Sequence, residues 1–131
     1  MIDVNKRERE YEALYALNNP YGVRQLFENV HRIIENAYGN GDIDALILYL
    51  DFAQALKKGH LTQKQKEALR LFYVESMTQQ QTAEMLGIAQ QKVSDRVDRA
   101  IERVAKASGY DKEAQRRDDE HRRMVSSAAG G

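Results

Sequence analysis

The chain has 131 residues, of which 42% are hydrophobic, 31% charged and 8% aromatic, the size of one modest globular domain or of a small domain with an extension. It has no cysteine, and its three histidines, His31, His60 and His121, stand far apart, which excludes a disulfide framework, a thiolate zinc site and a cysteine nucleophile, so zinc fingers and most metalloenzymes drop out. Twenty basic residues balance twenty acidic ones, and the balance hides an asymmetry: residues 1–56 carry five basic and nine acidic residues, 57–106 carry ten and six, and 107–131 carry five of each. A basic middle joined to an acidic first segment is a hint of polyanion binding.

No run approaches the roughly 18 apolar residues of a membrane-spanning helix, and no signal-type apolar run follows Lys6-Arg7-Glu8-Arg9-Glu10, so a cytoplasmic protein with no membrane partner is expected. One Pro and eight Gly punctuate runs of 3.6-residue periodicity, and no strand pattern competes, which predicts an all-α fold with short connections. A first helix is predicted over 4–17, with Tyr11, Leu14 and Tyr15 on one face, stopped by Asn18-Asn19-Pro20 because a residue before Pro avoids the α region. A second is predicted over 21–38 from the stripe Val23, Leu26, Phe27, Val30, Ile33, Ile34 and Ala37, broken by Gly39-Asn40-Gly41.

Asp42 is placed to cap a third helix over 43–58. That helix is apolar nearly all round, from Ile43 through Leu46, Ile47, Tyr49 and Leu50 to Phe52 and Leu56, so it needs cover on more than one side, from its own chain, another protein or a second copy. After Gly59-His60, Thr62 and Gln65 have capping-box spacing with Leu61 as a hydrophobic staple, opening a helix to about residue 76 that buries Ala68, Leu69, Leu71, Phe72 and Val74. Thr78 and Gln81 repeat the box, and Gly87 closes that short helix. A further helix follows over 90–108 with Val93, Val97, Ala100, Ile101 and Val104 inward. Residues 111–124 are helix-competent but have almost no apolar face, and 126–131 read as disordered.

The informative block is Thr78 to Val97, which has helix-turn-helix spacing. Two helices crossing steeply need a small residue where they touch (Ala83), a residue that tolerates positive φ in the turn (Gly87) and apolar plugs on either side (Leu86, Ile88, Val93). With those inward, the outer face of the second helix is Gln90, Gln91, Ser94, Asp95 and Asp98, flanked by Lys92, Arg96 and Arg99. Amide side chains can pair with adenine in the major groove, and basic residues beside them can hold phosphates. Two positions are unusual. Thr82 stands where an aliphatic residue ordinarily helps the core, and Asp95 would repel phosphate unless it accepts from a cytosine amine or orients Arg96 or Arg99.

The run Leu61-Thr62-Gln63 through Thr78-Gln79, continued by Ala83-Glu84-Met85-Leu86-Gly87-Ile88 and Arg99-Ala100-Ile101-Glu102-Arg103-Val104, resembles region 4 of the sigma-70 family of bacterial sigma factors, and with the lead-in helix the likeness covers residues 43–106. The resemblance implies a helical fold, binding to a promoter −35-type element and docking on the RNA polymerase β-flap. By position it sets Gln90, Gln91, Ser94 and Asp95 against base edges and Lys92, Arg96 and Arg99 near the backbone, with the Thr78 end of the preceding helix able to meet phosphate through free N–H groups. No counterpart of the aromatic-rich region 2 that melts the −10 element stands in residues 1–41; lone sigma-like proteins of this size are typical of phages and prophages, and such a source is expected.

The expected organisation is therefore a helical bundle. Residues 1–41 form an N-terminal extension for oligomerisation or partner binding, 42–108 a region 4-like helix-turn-helix domain, and 109–131 a charged, largely solvated or disordered tail. The expected function is that of a sequence-specific double-stranded DNA-binding transcriptional regulator, a homo-oligomer through its N-terminal helices, in contact with RNA polymerase or an associated sigma factor. Two other functions fit the same spacing: a small terminase-like packaging subunit that forms a ring, and a polymerase- or sigma-binding module that leaves DNA alone. No phosphate loop, two-histidine metal spacing or Ser-His-Asp set can be nominated, so no enzyme, cofactor or metal is expected.

Overall fold

The computed structural model describes residue 11 and residues 14–129, with side chains through residue 126. Among the described residues there are seven α-helices and no strand: α1 (Pro20–Glu28), α2 (Val30–Ile34), α3 (Ile43–Lys58), α4 (Gln63–Leu69), α5 (Gln79–Leu86), α6 (Gln90–Ala107) and α7 (Lys112–Ala129). Two of them, α2 and α4, run on into single wide π-helical turns, Glu35–Gly39 and Arg70–Val74. No helix among these residues is long and apolar enough to cross a membrane.

Most of the helix expected over 4–17 lies outside the described residues. Within them, Tyr11 and Leu14 are helical and the chain leaves the helix at Tyr15, which turns inward and is buried while Leu14 is exposed. The chain then approaches α1 closely: a Cβ on Gly22 would sit 2.6 Å from the Ala16 nitrogen and nearer still to its carbonyl oxygen, so only glycine fits. Asn19 caps α1 by accepting from the Tyr21 N–H, with Pro20 at the first helical position, where its missing N–H costs nothing.

The helix expected over 21–38 is interrupted. Asn29 leaves helical geometry (φ −110°, ψ 10°), and its side-chain amide donates to the Gln25 carbonyl, a local bond that competes with the helix ladder. The stripe still points inward, with Val23, Leu26, Phe27, Ile33 and Ala37 buried. Helix α3 has the expected bounds, and Asp42 accepts from the Ala45 N–H at 3.1 Å. Among the described residues its cover is partial: Ala45, Phe52 and Ala55 are buried, while Ile43, Ile47 and Leu50 stay exposed.

Both capping boxes form, Thr62 with Gln65 and Thr78 with Gln81, each exchanging two hydrogen bonds. The expected burial of Val74 does not hold. The Glu75 N–H bonds to Arg70 and the Met77 N–H to Leu71, five and six residues back, so the widened turn shifts the register. Tyr73 goes in and Val74 goes out. Phe27 of α1 then stacks on Tyr73 (centroids 5.0 Å apart) and meets the edge of Phe52 from α3 (4.8 Å), which locks the first helix to the third and to the π turn.

At the centre lies α6, packed by α1, α3, α4 and α5. Val93, Val97, Ala100, Ile101, Val104 and Ala105 are all buried, at the 3.6-residue spacing the sequence carries. The last helix corrects the disordered end expected from residue 126, since α7 continues to Ala129; its side chains through residue 126 are exposed apart from half-buried Ala114.

Candidate nucleic-acid interface

The turn between α5 and α6 is built from the backbone outward. Gly87 takes the left-handed conformation (φ +67°), its N–H bonding to the Glu84 carbonyl, while the Ile88 N–H reaches back to Ala83 at 3.0 Å. Ala83 is buried and small, so the helices can close on each other, and Ile88 is half-buried beside them. Thr82 has no exposed surface, yet its hydroxyl is satisfied because Oγ1 donates to the Thr78 carbonyl at 2.9 Å. Across the turn, Gln79 Nε2 donates to the Gln90 carbonyl at 2.9 Å, bringing the starts of α5 and α6 together.

The expected reading residues stand on one exposed surface. Gln90, Gln91, Lys92, Asp95 and Arg99 are exposed, and Ser94 and Arg96 are half-buried on the flanks. Gln91, Asp95 and Arg99 follow one another at four-residue steps, so they share a line along the helix. Thr78 lies apart from that line, at the cap of α5, where its side chain accepts from the Gln81 N–H. The Gln79 and Gln80 amides are left outside the intrahelical ladder. Helix α6 begins with no side-chain cap, since Ala89 has no acceptor to offer.

Charge on the outside of α6 is sorted into two stripes. Lys92, Arg96, Arg99, Arg103 and Lys106 recur at steps of three and four residues, and Asp95, Asp98 and Glu102 form the neighbouring stripe. The carboxylates are engaged. Asp95 accepts from Gln91 Nε2 at 3.2 Å, not from Arg96 or Arg99; Asp98 is bound by Arg24 at 2.7 Å; Glu102 meets Lys106 at 3.1 Å and Lys112 at 4.0 Å. Among the described residues no ion pair holds Lys92, Arg96 or Arg99, so their charge is free for an outside anion.

Arg24 is the residue that sequence reasoning missed. It sits 74 positions before Asp98, on a different helix, and no local spacing signals the pairing. Its guanidinium also reaches the Tyr73 hydroxyl at 3.5 Å. Burial alone would lower the Arg24 pKa, but the hydrogen bond to Asp98 and the surrounding charges outweigh it and hold the group above its ordinary value. Burial of the Tyr73 phenol has the opposite consequence for an acid and pushes its pKa up.

Residues 59–106 match the family model of sigma-70, region 4. The chain carries a sigma-70 region 4 domain. The match supports a DNA-binding helix-turn-helix, and its span begins just after α3 and runs through α4 and α5 to the last turn of α6. The elements before it, α1 to α3, lie outside the match. No curated protein and no solved structure matches the chain.

Proposed function

We propose that this protein is a sequence-specific transcriptional regulator that reads duplex DNA with α6 and meets RNA polymerase through its region 4 domain. The observation that carries the reading is the free cationic row Lys92, Arg96 and Arg99 beside exposed Gln90 and Gln91, while the carboxylates of the same helix are engaged. In the major groove Gln90 and Gln91 pair with base edges, adenine being the geometric match for an amide, and Ser94 and Asp95 follow one turn later. The three cations neutralise phosphates and supply most of the affinity, with a matching sensitivity to salt. The Thr78 end of α5 adds N–H donors to the backbone.

The test is a salt-titrated gel shift of the full chain on fragmented DNA from its own replicon, with sequencing of the retained fragments. A recurrent site upstream of genes is the expected result, with affinity falling steeply as salt rises. Arg96→Ala or Arg99→Ala weakens binding to every duplex and lowers the salt slope by about 1, whereas Gln90→Ala or Gln91→Ala mainly erodes discrimination, by about 1–3 kcal/mol at the preferred base. Absence of retention at low salt refutes the reading, and equal behaviour of the two classes refutes the division of roles.

A further inference from the structure

We propose that Arg24, on α1, is a positioning residue of the DNA interface: it holds a positive charge against Asp98 so that this carboxylate does not meet the phosphate strand bare. The inference rests on the DNA-binding reading above and adds to it a residue from outside the region 4 match. Asp98 lies four residues beyond Ser94 on the same flank of α6, about 6 Å further along the helix axis. A helix seated in the major groove by its first turns lies between two sugar-phosphate strands, so an uncompensated charge on its flank faces phosphate.

No cation of α6 pairs with Asp98. Its helical neighbours three and four positions away are Ser94, Asp95, Ile101 and Glu102, two of them acids, and the basic residues lie in the adjoining stripe. Compensation has to come from another element, and α1 supplies it. Val23 and Leu26, buried as α1 packs on α6, bracket Arg24 and fix its base, and its guanidinium donates to Asp98 Oδ1 at 2.7 Å and to the Tyr73 hydroxyl at 3.5 Å. The Asp98 side chain remains 56% exposed, so without Arg24 its charge faces the approaching phosphates.

The test compares wild type, Arg24→Ala, Asp98→Asn and the double variant for binding to a labelled mixed-sequence duplex across a salt series, with thermal melts of each. Arg24→Ala is expected to bind about five- to tenfold more weakly at low salt, a gap that narrows as salt screens the carboxylate. Asp98→Asn binds at least as well as wild type, and the double variant returns to within about twofold of Asp98→Asn, because the charge that Arg24 covers is gone. A merely structural role predicts no rescue, since Asp98→Asn also breaks the pair. A direct phosphate contact by Arg24 leaves the double variant weaker than Asp98→Asn. Either result overturns the proposal, as does unchanged binding by Arg24→Ala. Wild type that fails to bind the duplex at low salt removes the DNA-binding reading itself, and the inference with it.

Discussion

Thr82 shows how a polar side chain occupies a core position without cost. It is fully buried in the first helix of the helix-turn-helix, and its hydroxyl donates to the Thr78 carbonyl, an acceptor that also receives the Thr82 backbone N–H at 2.9 Å. Removing the hydroxyl therefore leaves no orphaned group, and the net worth of such a bond is about 0.5–1.5 kcal/mol before the recovered desolvation is counted. Thr82→Val, which keeps the volume, is expected to change the unfolding free energy by less than about 1 kcal/mol in denaturant titration. Thr82→Ala, which also deletes a methyl, costs more. A loss above about 2 kcal/mol for Thr82→Val would show that the hydroxyl has a role beyond this one bond. The same reasoning separates Asp95 from Asp98: both are exposed acids on α6, but one is held by its own helix through Gln91 and the other by a distant arginine.

At the scale of elements, what the sequence made legible was local chemistry. The cap at Asp42, the two Thr–Gln capping boxes, the left-handed turn at Gly87 and the inward face of α6 each depend on residues within a few positions of one another, and all stand where periodicity and capping place them. The outer face of α6 was legible by subtraction from that inward face. What stayed hidden depends on pairs distant in sequence or on one extra residue in a turn. The π turn at Arg70–Val74 keeps helical composition while shifting the register, so apolar spacing points to Val74 as core where the structure buries Tyr73. The break at Asn29 and the exit from the helix at Tyr15 are likewise invisible to apolar spacing. Gly22 carries the clearest consequence: its close approach to the Ala16 backbone leaves no room for a Cβ, and backbone cannot swing aside as a flexible side chain does. Gly22→Ala is expected to destabilise the protein by about 1–3 kcal/mol, despite alanine's better helix propensity, by pushing the segment around Ala16 off α1. Denaturant titration checks this, and a stabilised Gly22→Ala protein would show that the contact does not exist.

On the scale of the whole molecule, the apolar core crosses the boundary expected at residues 41 and 42 between an N-terminal extension and the region 4-like domain. Val23, Leu26, Phe27 and Ile33 belong to one continuous cluster with Phe52, Tyr73, Val97 and Ile101, and Phe27 touches the rings of both Phe52 and Tyr73. Burying a side chain of this size stabilises by about 1.5–3 kcal/mol, so four of them contribute on the same scale as the roughly 5–15 kcal/mol that holds a typical domain together. A fragment spanning 42–108 keeps every residue of the region 4 match, yet it exposes the surface on which α1 and α2 lie and strips Asp98 of its arginine. The fragment is expected to melt far below the full chain, with a broad transition and weak DNA binding. Adding the separate 1–41 segment in trans at high concentration should recover part of both properties, because the missing contacts are intermolecular but otherwise unchanged. A 42–108 fragment that unfolds as sharply and at the same temperature as the full chain would mean that the N-terminal helices merely rest on a self-sufficient domain. A low and broad melt would mean that this region 4 domain and its extension fold as one cooperative unit.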